Sequence, residues 1–414
     1  MGLLDLSGKL SADPRIQGWL DELNAITDEP PGLTRTFLSP ALGRAKQVVA
    51  GWMRDAGLEV FEDQAGNLIG RRDCGDPEAG TVVCGSHIDS VRNAGRFDGP
   101  MGVVAGILAM DRISKSGLKL PYHVEIVAFA DEEGVRFQTT YLGSRFYIEH
   151  LGELEKASAD ADGVTVGQAI AAHIPEFPSP PTRELVGYVE AHIEQGPVLE
   201  KKNLALGVVT AIAGQTRARV VVKGKAGHAG TTPMAMRRDA LAGAAECVLL
   251  VEKMGADVKG LVATVGQIEV RASASNVIPG EVQFTIDIRH ADNAERQRFC
   301  RSLFAEIEKC LHARKLESRI QIPLAAPAAK CSPRLCDRLA EVVEARQGSC
   351  PRLVSGAGHD AVALAEVTEV VMLFVRCRDG LSHHPDEFAS NEDIALAVDT
   401  LADFLANFPF SENA

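Results

Sequence analysis

The chain has 414 residues, 46% of them hydrophobic, and a formal net charge of -13. That length exceeds one compact unit and supports two domains with a large buried core. The acidic balance, without a long basic run, argues against nucleic acid or anionic membrane as a partner, and no apolar stretch reaches the roughly 20 residues that cross a bilayer. The N-terminus, MGLLDLSGKLSADPR, lacks the basic-then-apolar order of a signal peptide. Nine scattered cysteines with no CxxC pair point to reduced thiols in a cytoplasmic protein.

In chain order, the opening to about residue 60 reads as helical, punctuated by Leu33-Thr34-Arg35 and Ser39-Pro40. LEVFEDQAGNLIGRR predicts two short strands around a turn at Ala65-Gly66-Asn67. TVVCGSHID is a buried strand, MGVVAGILAMDRISKSG an apolar helix ended by Gly117, and HVEIVAFADEE another strand. This strand-helix-strand order predicts a mostly parallel sheet with helices on its faces. Prolines at 174 to 181 mark a surface connection, and ELVGYVEAHIEQGPVLE follows as a strand.

The pattern changes near Gly214. From there to about 330 come strand TRARVVVKG, helix PMAMRRDALAGAAECVLLVEKM, strands VATVGQIEVR and EVQFTIDIRH, and helix NAERQRFCRSLFAEIEKCLHARK. That order predicts an inserted α+β, ferredoxin-like domain. The expected division is 1–213 with 331–414 for the main domain and 214–330 for the insert, with Gly214 and the junction near Pro327 as candidate hinges. Beyond it, CDRLAEVVEAR, HDAVALAEV, VVMLFVRC and NEDIALAVDTLADFLANF resume the helix-strand alternation.

In such sheets, ligands bind beyond the carboxyl ends of the strands. His87, Asp98, Glu132 and Glu133 are therefore expected near one another. His87 and Asp89 form an HxD pair, in which the aspartate can orient the imidazole. Each feature alone has a bland reading. A lone histidine is commonly structural, Asp98 in RFDGP suits a turn, and Glu132-Glu133 suit a helix N-terminus. Of the two acids, one can bind a cation while the other shuttles a proton. His192 would share a strand face with Glu190 and Glu194 if the strand continues. His383 and His384 are adjacent, with room for one as ligand. Five such side chains, each after an apolar strand or turn, together point to divalent metal ions and a metal-dependent hydrolase.

GSHIDSVRNAGRFDGPMGVVAG, FADEEGVRF, YVEAHIEQGPVLE, GKAGHAGTTPM, ASASNVIPG, DIRH, SGAGHDA and GLSHHPDE, in this order, resemble the N-carbamoyl-L-amino acid hydrolase and allantoate amidohydrolase group of the M20-type dimetal superfamily. The resemblance runs from about residue 30 to 405. It implies two divalent metal ions per subunit, zinc or manganese first and cobalt or nickel next. Asp98 would bridge them, with His87 and His192 on one and Glu133 and His383 on the other. Glu132 would be the general base. Gln195, His228, Asn276 and Arg289 would contact substrate, with backbone near Gly358 and His359. The insert would act as lid and dimerisation domain of a homodimer, with His228 and Asn276 supplied by the partner subunit and His228 stabilising the transition state. Histidine at 192 favours the branch that cleaves ureido acids, small molecules that would release ammonia and carbon dioxide. The competing readings are an M20-type peptidase or N-acyl-amino acid deacylase, and a non-catalytic metal-binding protein on the same fold.

Overall fold

A computed structural model describes residues 13–272 and 274–409; the first part of the helical opening, residues 1–12, lies outside them. The chain divides into two compact units. One comprises the chain up to Thr210 together with Lys330 onward, the other Ala211–Ala329.

The first unit is built on a nine-stranded sheet. Four neighbouring strands at its centre are parallel: His123–Phe129, Thr81–His87, Leu185–Ile193 and Val370–Val375. Toward the edges the pairing turns antiparallel. Leu68–Arg72 lies against His123–Phe129, Glu59–Glu62 against Leu68–Arg72, and Leu206–Ile212 against Val370–Val375. Every residue of Thr81–His87, His123–Phe129 and Val370–Val375 is buried. Helices on both faces of a parallel sheet demand this, which is why these segments read as unbroken apolar runs. The helix Pro100–Ser116 packs on Thr81–His87 and Leu185–Ile193 and against the helix Asn391–Ala406. It ends at Gly117, whose φ of 73° suits the left-handed turn that stops a helix.

The helical opening is two helices, Pro14–Asn24 and Pro40–Asp55, separated by a non-helical stretch. Asp13 and Ser39 cap them, and each cap is followed by proline at the first helical position. Arg35 breaks the continuity. It is fully buried and gives its guanidinium to the carbonyls of Ile26 and Ile88.

The second unit carries a five-stranded antiparallel sheet, ordered Ile268–Arg271, Glu281–His290, Gly214–Lys223, Glu317–Ala326, with Val262–Thr264 also on Glu281–His290. Here burial alternates. Thr216, Ala218, Val220 and Val222 point inward, as do Val282, Phe284, Ile286 and Ile288 on the neighbouring strand. A period of two fits a sheet with one covered face. The helices Ala240–Ala256 and Asn293–Ala313 cover it, through Ala244, Cys247, Phe299, Leu303 and Ile307 among others.

Two details differ from the sequence expectation. The first of these helices starts at Ala240 rather than near Pro233, because the Asp239 carboxylate accepts the amides of Leu241 and Ala242, while Met234–Met236 forms a separate turn. VATVGQIEVR is two strands with Gly266 between them. Gly214 is glycine for room: a Cβ there would meet the Arg296 guanidinium at 1.7 Å and the Ala328 amide at 2.5 Å.

Candidate active site

The parallel strands set the donors. His87 is the last residue of its strand, Asp131–Glu133 follow His123–Phe129, and His192 is the penultimate residue of Leu185–Ile193. The strand Val370–Val375 leads into the loop that carries Ser382 and His383. All four ends share one edge of the sheet because their strands run in one direction.

Asp98 is the hub. Its Oδ1 lies 3.0 Å from His192 Nε2 and 3.6 Å from His87 Nε2. Its Oδ2 lies 3.2 Å from His383 Nε2, which is 3.5 Å from Glu133 Oε1. Three donor groups result, each with its ligand atoms within 4.8 Å of one another: His87, Asp98 and His192; Asp98, Glu133 and His383; His87, Glu132 and Glu133.

The remaining ring nitrogens are engaged. His87 Nδ1 is 3.1 Å from the Asp89 carbonyl, and His192 Nδ1 is 2.9 Å from the Ile193 carbonyl. Donation from Nδ1 leaves the Nε2 lone pair free in neutral imidazole, the form that binds a cation. Asp89 does more than orient His87. Its two oxygens accept the amides of Glu132 and Glu133, at 3.0 and 3.2 Å, so one carboxylate ties two strand ends together. Gly99, at φ 82°, has the His87 ring so close that a Cβ would lie 2.5 Å from it.

The electrostatics ask for positive charge. Asp89, Asp98, Asp131, Glu132, Glu190, Asp360 and Glu387 are all buried. Among the described residues, the ion pairs of Asp98 and Glu133 are to histidines, not to lysine or arginine. Burial pushes Glu132 well above the usual carboxylate range, with Glu133, Asp360 and Asp89 adding to it. Burial and Asp98 push Glu133 up to about 7. Asp131 and Asp360 are also pushed well up, by burial and then by neighbouring carboxylates. Burial acts against charge on Asp98, yet His192, His383 and His87 hold it well below its ordinary value. Burial likewise opposes charge on His87, but Asp89 and Asp98 outweigh it and raise the imidazole. Asp98 raises His383 to about 9. Imidazole Nε2 atoms turned toward carboxylates, together with hard oxygens and surplus acidic groups, form a donor set that fits divalent cations, which would replace the protons on those nitrogens.

The other expected residues divide: Glu194, Glu190 and His384 are engaged elsewhere, while Gln195 and His359 lie against the donors. Glu194 does not share a face with His192. The strand ends at Ile193, and the Glu194 carboxylate accepts the amides of Val198 and Leu199. Glu190 is buried under Ser86, Tyr188 and the Ala361 amide. His384 turns away, its Nδ1 accepting the Asp386 amide. Gln195, at φ 54°, gives its Nε2 to Asp98 Oδ2 at 2.8 Å, while its Oε1 is buried with no hydrogen-bond partner among the described residues. His359 is buried edge-on to His192, with Nε2 2.8 Å from Ser355 Oγ; burial and the neighbouring His192 hold its basicity well below the ordinary value. Gly358 leaves room for the Tyr141 hydroxyl, which a Cβ would meet at 1.9 Å.

In the second unit, His228 and Asn276 are brought together. Gly227–His228 and Val277–Ile278 form a two-stranded ladder, and the Ala229 amide donates to the Asn276 carbonyl at 2.9 Å. The Gly230 amide donates to His228 Nδ1, which leaves Nε2–H as a donor in the neutral ring. Arg289 is held at 2.7 and 3.0 Å by Asp287. A cavity of about 890 Å3 in the first unit, lined by Asp63, Tyr147 and Arg183 among others, includes none of the donors.

Sequence reasoning passed over Glu387, Ser382 and Asp360. The first two stand in LSHHPDE itself, where the acid four positions after His383 was a usable signal.

Residues 83–407 match the family model described as Peptidase family M20/M25/M40. The chain is 39% identical to an allantoate deiminase of Arabidopsis thaliana, over 93% of this chain and 80% of that protein. It is 41% identical to an N-carbamoyl-L-amino-acid amidohydrolase of Pseudomonas sp. (strain NS671), over 92% and 94%. The crystal structure of an amidase of the hydantoinase/carbamoylase family from Burkholderia multivorans superposes with a TM-score of 0.90 at 33% identity, covering 97% of this chain and 98% of that one.

Proposed function

We propose, for a chain that belongs to peptidase family M20/M25/M40 and within it to the hydantoinase/carbamoylase and allantoate deiminase group of amidohydrolases, that the substrate is a ureido acid whose terminal C–N bond is hydrolysed to ammonia and a carbamate, which loses carbon dioxide to leave the amine or amino acid. One observation carries this reading: Asp98 stands between two donor sets, one oxygen toward His87 and His192, the other toward His383 and Glu133. Those five residues would hold two divalent cations, zinc or manganese first, cobalt or nickel next. When bound, such ions supply Lewis acidity toward a poorly electrophilic carbonyl and acidify a water.

The chain's own residues do the rest. Glu132, held by Asp89 through its amide, takes the proton from the attacking water and returns it to the leaving nitrogen. Gln195 Oε1, a buried acceptor without a partner among the described residues, suits a ureido N–H. Arg289 pairs with the substrate carboxylate through two parallel hydrogen bonds. His228 Nε2–H stabilises negative charge on the tetrahedral intermediate. The backbone near Gly358 and His359 completes the substrate contacts.

We place His228 and Asn276 in the partner's site of a homodimer, with the second unit as lid and dimerisation domain (main domain 1–213 with 331–414, insert 214–330). The shared ladder supports assigning both to one subunit. Leu249, Val262, Ile268 and Ile322 are exposed on the insert, and Ile322 lies on the edge strand Glu317–Ala326, which leaves apolar surface and an open sheet edge for a second copy. All nine cysteines are unpaired, which supports the cytoplasm, and among the described residues no helix is long and apolar enough to cross a membrane.

The test is a panel of allantoate, N-carbamoyl-L-amino acids, ureidopropionate, dipeptides and N-acyl amino acids, assayed with chelator-stripped enzyme and each added metal. Metal-dependent ammonia release from ureido acids is expected. Amine release from dipeptides or acyl amino acids alone would refute the reading.

A further inference from the structure

We propose that Glu387 is a positioning residue that keeps Asp98 and the His383 loop in ligating register. The inference rests on the reading of the donor set given above. Glu387 is 3% exposed. Its Oε1 accepts two amides, from Phe97 at 2.8 Å and Asp98 at 3.0 Å. Its Oε2 lies 3.0 Å from the Ser382 hydroxyl, the residue before His383. One carboxylate thus grips the backbone of one donor and the neighbour of another, which are 285 residues apart in the sequence (383 against 98).

Three observations make this more than packing. The Ser382 hydroxyl is 2.6 Å from Asp98 Oδ2 and accepts Gln195 Nε2 at 3.2 Å. A hydroxyl has one proton, so it serves Asp98 or Glu387 at any moment. Glu387 is the acceptor that takes that proton whenever Asp98 Oδ2 is otherwise engaged. Second, His383 has φ 56° and Gln195 φ 54°, a left-handed conformation that non-glycine residues seldom adopt. Such residues persist where their surroundings over-determine them. The loop is closed by Arg378 N to Phe388 O at 2.8 Å and Glu387 N to His384 O at 3.0 Å, and Glu387 anchors it to the Asp98 turn. Third, Gly95 lies so close that a Cβ would meet Glu387 Cβ at 2.4 Å, so the turn before Asp98 is seated directly on this side chain. A carboxylate buried beside Asp98 is unfavourable for the fold alone, because it adds like charge in a poorly solvated place. It makes sense where the alignment of Asp98 and His383 matters.

The test titrates chelator-stripped full-length protein with Zn2+ by calorimetry. Wild type should bind two equivalents. Glu387→Ala should weaken the step that uses His383 by about 10- to 100-fold, the usual range for a residue that orients a ligand, and the other step, which shares only Asp98 with it, by clearly less. Glu387→Gln keeps an acceptor for both amides and should recover most of the loss. Adding Glu387→Ala to His383→Ala should not weaken that step further, since the two act on one site. Unchanged binding in Glu387→Ala, or equal weakening of both steps, overturns the positioning role while leaving the donor set standing. A wild type that takes up no stoichiometric zinc overturns both readings. Thermal melting with chelator reports folding separately. If Glu387→Ala does not fold, Ser382→Ala decides: a selective loss of the same step supports the role, and wild-type binding overturns it.

Discussion

The two units solve different problems with their sheets. In the first, the central strands are buried on both faces, and the donors stand at their ends with each held by its own neighbours: His87 by Asp89, His192 by the Ile193 carbonyl, Glu132 and Glu133 by Asp89. In the second, one face is covered and the other open. There the candidate residues stand exposed on or beside a two-residue ladder, as His228 and Asn276 do, or engaged with a local acid, as Arg289 is. Groups that lie within ångströms of one another are set by strands buried on both faces, and the residues proposed to reach the substrate, His228 with its proposed catalytic part among them, are carried on a lighter sheet.

The sharpest way to test that division is Glu132→Gln. Ammonia release should fall about 100- to 10,000-fold, the usual worth of a general base, while metal analysis shows wild-type content. Equal turnover would remove Glu132 from its role. His228→Ala should cost about 100- to 1,000-fold in kcat with metal content intact. Mixing refolded Glu132→Gln and His228→Ala subunits should then restore activity, because a hybrid holds one site with Glu132 from one subunit and His228 from the other. No recovery in verified hybrids would return His228 to its own subunit's site. Arg289→Ala should act chiefly on KM, raising it about 10- to 100-fold for a lost charged hydrogen-bond pair, and Arg289→Lys should restore only part of it. The smallest effect on chemistry is expected from Phe284→Ala in the insert's core. It should destabilise that unit by about 3–5 kcal/mol in denaturant unfolding, yet leave zinc stoichiometry at the first unit's donors unchanged.

The strands that form the core of the first unit were readable because burial on both faces demands unbroken apolar runs, as in TVVCGSH and VVMLFV. The insert was readable from alternation in TRARVVVK and EVQFTIDI. Shorter pieces were not. Gly227–His228 and Val277–Ile278 are too brief for any period, and the stretch between the first two helices is held by Arg35 through contacts to Ile26 and Ile88 that no local pattern encodes. The convergence of His87, Asp98, Glu133, His192 and His383 followed from strand direction together with family motifs. The roles of the second layer did not. That Glu194 caps amides while Glu387 braces Asp98 depends on where a strand stops and where a loop folds back; the acid after His383 marks a position in LSHHPDE, but residue type does not say what it grips.

Gly99 carries a lesson about reading relatives of this chain. A single added carbon at that position would press on the His87 ring, although every residue able to hold a cation would still be spelled out in the text of the gene. An inventory of donors therefore cannot separate a working copy from a dead one; the vacancy beside an imidazole must be counted as well.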